Sequence, residues 1–311
     1  MTDPNLDAAR ADLQRLAADL ETIGVAHAAD LAALTATLEQ VRAMHTVTRA
    51  ELVAALARIA QLEAELAQRD GTRFGVNLAN PFAAARLDVA RVYFAPGAFS
   101  LTRPQPTWQS KAELGQAYAL GCRDFIVSVK DHAWPDRLAA FLATVPADVT
   151  VWGCFFHEHE GNIRAGEFTA DQYRERFAAV GEVFHAAGHK VGPIHNGLNM
   201  VDGKWRWAGY VEPDLSLCNF WGLDCYDPNG KGVAALFDQW LPYAQATGLP
   251  IVIGETGTPA GPAQAAWAAD MRAWCEASGV RLAAWWHQQF AGRPDYRMTA
   301  QTQTVWLGGS S

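Results

Sequence analysis

Residues 149–161 read VTVWGCFFHEHEG and residues 249–257 read LPIVIGETG. Each is a hydrophobic run of strand length that ends in glutamate beside glycine. Short apolar runs bounded by turn residues read as buried strands. A carboxylate placed where such a strand opens resists desolvation, so its position implies a task beyond folding. The two runs lie about a hundred residues apart in a chain of repeating strand and helix patterns. That spacing predicts two carboxyls facing each other across the mouth of a barrel.

The rest of the chain after residue 70 extends the pattern. Further strand-like runs are RFGVNLA (73–79), ARVYFAP (90–96), CRDFIVSVK (122–130), KVGPIHNG (190–197), NFWGLDCYD (219–227) and RLAAWWHQ (281–288). Helical patterns fall between them at 111–121, 134–145, 169–188, 232–248 and 262–279, several ending in the glycine expected at a helix C-terminus. Eight strands in about 240 residues fit a (β/α)8 TIM barrel. A doubly wound open sheet would carry a glycine-rich phosphate loop after its first strand, and RFGVNLANP has none. The connections after strands one and five read as irregular, and MTAQTQTVWLGGSS (298–311) predicts a weak closing helix.

Composition breaks near residue 70. Residues 5–69 hold no proline and only Gly24. Apolar residues recur in steps of three and four at Leu6, Ala9, Leu13, Leu16, Leu20 and Ile23, then Leu31, Leu34, Leu38 and Val41, then Leu52, Ala55, Ile59, Leu62 and Leu66. This is a coiled-coil seam of roughly nine heptads, with a stutter through His27, and with His45 at a seam position. A lone helix of this kind would leave its apolar stripe wet. The expected organisation is therefore a self-associating stalk, 1–70, as a dimer or trimer, followed by a barrel, 71–311.

Bulk properties exclude several classes. A net charge of −8 without a basic block argues against nucleic acid as a partner. Five cysteines without a close CxxC pair predict reduced core thiols, not a disulfide framework or zinc-thiolate site. No stretch is long and apolar enough to span a bilayer, and MTDPNLDAARADLQ lacks the regions of a signal peptide, so cytoplasmic synthesis is expected. No cofactor is implied. All twelve tryptophans follow residue 100, in the segment that would need aromatic platforms or large core anchors.

Strand ends supply the candidate chemistry: Asn77, Tyr93, Lys130, His157 with Glu158, His195 with Asn196, Asp224 with Tyr226 and Asp227, Glu255, then Trp285, Trp286 and His287. Glutamates ending strands four and seven, a tyrosine ending strand six and a tryptophan on strand eight resemble the clan A retaining glycoside hydrolases. His157-Glu158, followed by HEGN, is similar to the strand-four signature of family 26 mannanase-type enzymes, in which that glutamate is the acid/base. Members of that family usually have a methionine-containing run where this chain has His159 and Glu160.

The resemblance implies a metal-independent retaining glycosidase acting on a polysaccharide or surface glycan. Retaining hydrolysis needs two carboxyls about 5–5.5 Å apart. Strand alternation places Ile251, Ile253 and Glu255 on one side, so Glu255 is expected to face inward as the nucleophile. Glu158 is expected as the acid/base, its pKa raised by negative charge and by aromatic neighbours such as Phe156. Glu160 shares its parity and is the rival, expected to be solvated further into the loop. Tyr226 is expected to orient the nucleophile, His157, Asn196 and Asp224 to bind sugar hydroxyls, and Trp285 or Trp286 to form a stacking floor. His157-x-His159 on one strand would also suit a metal, with His287 as the only obvious further ligand. A stalk bearing a sugar-acting domain resembles the build of bacteriophage tail or receptor-binding proteins, which adds virion to the expected localisations. A catalytically inactive glycan-binding adhesin, a structural minor tail protein and an ordinary cytoplasmic glycosidase remain alternatives.

Overall fold

The computed structural model describes residues 71–77, 86–130, 135–201, 204–205, 211–289 and 291–308. The stalk expected over 5–69, its self-association and the boundary near residue 70 lie outside the described residues. Nine strands form one sheet in which every pairing is parallel. They are β1 (Arg73–Asn77), β2 (Val89–Phe94), β3 (Asp124–Val129), β4 (Thr150–Phe155), β5 (Lys190–Val191), β6 (Ile194–Asn196), β9 (Trp221–Tyr226), β10 (Ile251–Gly257) and β11 (Val280–Trp285). A separate antiparallel hairpin, β7 (Met200–Val201) with β8 (Lys204–Trp205), follows β6.

The order is β5-β4-β3-β2-β1-β11-β10-β9-β6. Its two ends are pieces of one run of chain, parted only by Gly192 and Pro193. Proline has no N–H to give a ladder, so the strand changes partners there. The Gly192 N–H donates to the Gly153 carbonyl of β4 (3.0 Å), while the Pro193 carbonyl accepts from the Gly222 N–H of β9 (2.9 Å). Counted as one interrupted strand, residues 190–196 bring the total to eight and return the sheet upon itself. The domain is a (β/α)8-type barrel.

Helices α1 (Ala112–Ala119), α2 (Pro135–Leu142), α3 (His159–Arg164), α4 (Ala170–Ala186), α5 (Val233–Phe237), α6 (Leu241–Ala246), α7 (Gln264–Ala277) and α8 (Ala300–Leu307) follow the strands. Thr169 and Gln172 cap α4 reciprocally. The single helix expected over 232–248 is two, α5 and α6, because Pro242 favours the first turn of a new helix over continuing an old one. The weak closing helix forms as α8: Trp306 is fully buried against Phe74 and Trp285, and its Nε1–H donates to the Gly75 carbonyl (2.8 Å). All five cysteines are buried and unpaired. No helix among the described residues is long and apolar enough to cross a membrane.

Two apolar clusters divide the strands' faces. Val89, Ile126, Trp152, Cys154, Ile194, Phe220, Val252, Leu282 and Ala284 fill the barrel, and a larger cluster joins its outer face to the helices. Above the filling, the inward positions change character along each strand. β2 rises from Val89 to Arg91 to Tyr93, β3 from Ile126 to Ser128 to Lys130, and β9 from Gly222 to Asp224 to Tyr226. Apolar packing supports a layer of charge, and that layer supports the strand-end residues.

Two expectations change. β4 stops at Phe155, and Phe156 and Glu158 adopt left-handed φ of 48° and 55°. His157 and His159 therefore do not share a strand; His159 begins α3. In β10, Ile251 and Ile253 pack outward and Val252 inward, opposite to the parity expected. A bulge leaves Gly254 without a partner between the pairs Ile253–Leu223 and Glu255–Asp224, and this returns Glu255 to the inner face.

Replacing Trp306 by alanine is expected to lower stability by about 3–5 kcal/mol, the cost of emptying a buried tryptophan site, as read by urea unfolding.

Candidate active site

Arg91 and Asp224 form the base of the site. Both side chains are fully buried. The Arg91 guanidinium grips Asp224 with two bonds, Nη1 to Oδ1 (2.6 Å) and Nη2 to Oδ2 (3.1 Å), and also donates to Ser128 Oγ (3.2 Å). Its Nη2 lies 3.4 Å from Glu255 Oε1. Burial opposes the arginine's charge, but Asp224, Tyr93 and Glu255 together hold its pKa well above the ordinary value. Burial pushes the Asp224 carboxyl up while Arg91 draws it back. Asp224 is thus engaged beneath the site, and its expected contact with a sugar hydroxyl is replaced by a supporting role. A Cβ on Gly254 would lie 2.0 Å from Arg91 Nη1, so the bulge glycine also leaves room for the pair.

Glu255 stands directly above. Tyr93 Oη donates to Oε1 and Tyr226 Oη donates to Oε2. Tyr93 is itself held by Asn77 Nδ2 (2.8 Å), whose Oδ1 accepts from Gln288 Nε2 (3.1 Å). A relay from the ends of β11 and β1 therefore terminates on this carboxylate. Burial pushes the Tyr93 phenol up, which keeps it a donor. Both oxygens of Glu255 are oriented before any ligand arrives.

Glu158 lies in a different environment. Burial, followed by the charge of Glu255, raises its pKa from an ordinary 4.5 to about 7. Lys130 and a hydrogen bond with Asn196 act in the opposite sense. Phe156 takes no part, because it packs against Phe155 and Phe168 in the outer cluster. His157 points toward Tyr93, with ring centroids 5.3 Å apart. Burial and the nearby charges of Arg91 and Lys130 hold its pKa well below the ordinary value, leaving a neutral imidazole.

The tryptophan doublet divides. Trp285 is fully buried between Trp267 and Trp306, with Nε1–H donating to the Tyr296 carbonyl (2.8 Å), so it has no face to offer a sugar. Trp286 is half-buried beside Tyr93 and Tyr226, with centroids at 6.0 and 6.3 Å, and is the ring of the two that stays partly accessible. Glu160 is not solvated. It is 2% exposed and accepts from His195 Nδ1 (2.6 Å). Although burial alone would raise its pKa, His159 and His195 lower it to about 2. It therefore holds no proton to give at neutral pH.

Among the described residues two groups are compact enough for a metal, His159 with Glu160 and His195, and His157 with Asp224 and Glu255. In the first, His195 carries a proton, since Glu212 and Glu160 overcome burial and raise its pKa to about 10. In the second, Arg91 already occupies both carboxylates. His287 lies apart from both groups; its Nδ1 accepts from the Met298 N–H (2.9 Å) and ties down the closing segment. Asp227 is likewise structural, receiving Lys231 N, Gly232 N and Trp267 Nε1.

No family model matches this sequence, and no curated protein does. Solved structures do. A family 26 β-mannanase from Bacteroides ovatus superposes with a TM-score of 0.57 at 14% identity, over 81% of this chain and 92% of that one. The catalytic domain of a family 26 endo-β-1,4-mannanase from Bacillus sp. JAMB-750 gives 0.54 at 14%, over 81% and 89%. A modular endo-β-1,4-mannanase from Cellulomonas fimi gives 0.54 at 15%, over 82% and 74%. The likeness is one of fold, the barrel common to these glycoside hydrolases.

Exchanging Arg91 for methionine leaves Asp224 buried without a counter-charge. A stability loss of about 3–5 kcal/mol is expected by chemical denaturation, as for breaking any buried ion pair.

Proposed function

We propose that the barrel is a retaining glycoside hydrolase acting on a polysaccharide or surface glycan. One observation carries the reading: two glutamates meet at the strand ends in opposite settings. Glu255 receives two phenolic hydrogen bonds beside a guanidinium, and Glu158 keeps its proton to about pH 7. One carboxyl oriented as an acceptor and one that keeps its proton suit the roles of nucleophile and acid. Glu255 attacks the anomeric carbon while Glu158 protonates the departing glycosidic oxygen. Glu158, now a carboxylate, then takes a proton from the water that releases the glycosyl-enzyme. Neutral His157 and Asn196 contact sugar hydroxyls, and the ring of Trp286 carries the apolar sugar face.

The stalk reading completes the proposal. Residues 5–69 would gather two or three barrels, as in a phage tail-associated protein presenting glycan-trimming domains to a host surface. The barrel's likeness to mannanases favours β-linked glycans as the first panel to test.

Hydrolysis of such a panel is expected for the wild type. Glu158→Gln should lower kcat by roughly 10²–10⁴-fold, the usual worth of general acid–base catalysis, and Glu255→Gln should abolish turnover. Glycan binding without hydrolysis in all three proteins would sink the enzyme reading in favour of an adhesin. Activity should decline as pH rises through about 7, where Glu158 loses its proton. The same shift has a stability sign. The folded chain binds this proton more tightly than the unfolded one, so its contribution is present below the ordinary 4.5 and lost as pH rises through about 7. Glu158→Gln should therefore melt higher than wild type at pH 8, measured by calorimetry.

A further inference from the structure

Glu160 is buried, ionised and two residues beyond Glu158, yet the reaction proposed above does not use it. Three contacts bind the turn 158–160 to β6. The Glu158 N–H donates to the Ile194 carbonyl (2.8 Å). His195 Nδ1–H donates to Glu160 Oε1 (2.6 Å), and the Asn196 N–H approaches Glu160 Oε2 (3.4 Å). The far side of His195, Nε2, faces Glu212 Oε2 at 3.4 Å, completing a carboxylate–imidazolium–carboxylate line. His159 is fixed alongside by stacking on Tyr173 (3.9 Å, 7°) and by donating from Nε2 to the Val211 carbonyl (2.7 Å). Within this clamp Glu158 holds a left-handed φ of 55°, a conformation unfavourable for any residue with a Cβ.

We propose that Glu160 is a positioning residue for Glu158: pinned to His195 and the β6 backbone, it holds the strained turn closed and places a fixed negative charge beside the acid/base. The geometry gives one side chain both tasks. Its two oxygens extend the ladder that β4 leaves at Phe155, and the strained peptide cannot relax while they are held. The charge acts in the sense that catalysis requires. Glu158 is faced by Glu255 from β10, Asp224 from β9, Lys130 from the end of β3 and Glu160 from α3, and Asn196 of β6 bonds to it. Three of these are carboxyls that favour the protonated form, and Lys130 and Asn196 favour the ionised one. Glu160 is itself kept ionised by His195 and His159. A neutral residue at this position would tilt the balance toward an acid already deprotonated at working pH.

The proposal rests on the assignment of Glu158 as acid/base, but its test needs no substrate. The 13C signal of the Glu158 carboxyl, identified by its loss in Glu158→Gln, is titrated in the full chain, and amide exchange at Glu158 is followed in parallel. Glu160→Gln keeps the shape and removes the charge; the Glu158 midpoint should fall by about one pH unit, the scale of one nearby charge. Glu160→Asp keeps the charge but withdraws the carboxyl by one methylene; the Glu158 amide should exchange about tenfold faster or more as the turn opens. A midpoint unchanged in the first variant, or an amide as protected as wild type in the second, overturns the proposal, and either variant decides alone if the other does not fold. Failure of the glycan panel would leave both readouts intact, which separates this inference from the enzymatic reading.

Discussion

The bidentate pair of Arg91 and Asp224 is the contact on which the site depends. Both groups are removed from water inside the barrel, and desolvating two ions is costly enough that their mutual attraction barely compensates. Apolar residues of similar size would make a cheaper plug. The pair is instead aimed: both Nη atoms hold the carboxylate, and one of them, Nη2, also lies near Glu255. Gly254 gives it room, Ser128 takes a further N–H, and Tyr93 and Tyr226 stand on the strand positions just above. The charge layer thus separates the apolar filling from the reactive ends, and it orients the carboxylate that rests on it.

Three glutamates at those ends differ only in what surrounds them. Glu255 accepts from two phenols beside an arginine. Glu158 is buried with more negative than positive neighbours and retains its proton near neutrality. Glu160 is buried with two histidines and does not. Residue type alone would make them equivalent. The distinction comes from which strand end each one faces, and so from the topology that brings β4, β6, β9 and β10 together.

Much of this was legible in the sequence, because burial on both faces makes parallel strands read as continuous apolar runs. All eight runs became strands within a few residues, and the helix patterns between them held apart from the break at Pro242. The site was legible where a polar residue ends such a run. Parity failed at β10: alternation put Glu255 on the face of Ile253, and only the Gly254 bulge reconciles an inward Val252 with an inward Glu255. Arg91 interrupts ARVYFAP, but a charged residue within an apolar strand is readable only as an oddity until its partner is known. That partner, Asp224, is 133 residues away. Glu160 reads as a loop residue because no pattern within HEHEG announces a helix turn or its partner His195. Trp285 and Trp286 are indistinguishable as letters, and the strand's facing separates them into a core anchor and a half-buried ring.

The interrupted strand at 190–196 has a consequence for how the two halves of the site come into being. Glu255, Arg91, Asp224, Tyr93 and Tyr226 lie on one arc of the ring, β2-β1-β11-β10-β9, and their mutual order depends on ladders within that arc. Glu158 follows β4, which joins β2 through β3 on one side and β9 through the chain that crosses at Gly192 and Pro193 on the other. The clamp on Glu158 is built from the three residues that follow this crossing. Closing the ring at this joint therefore also fastens the turn that carries Glu158. A barrel open here would keep the oriented Glu255 and leave that turn without its clamp.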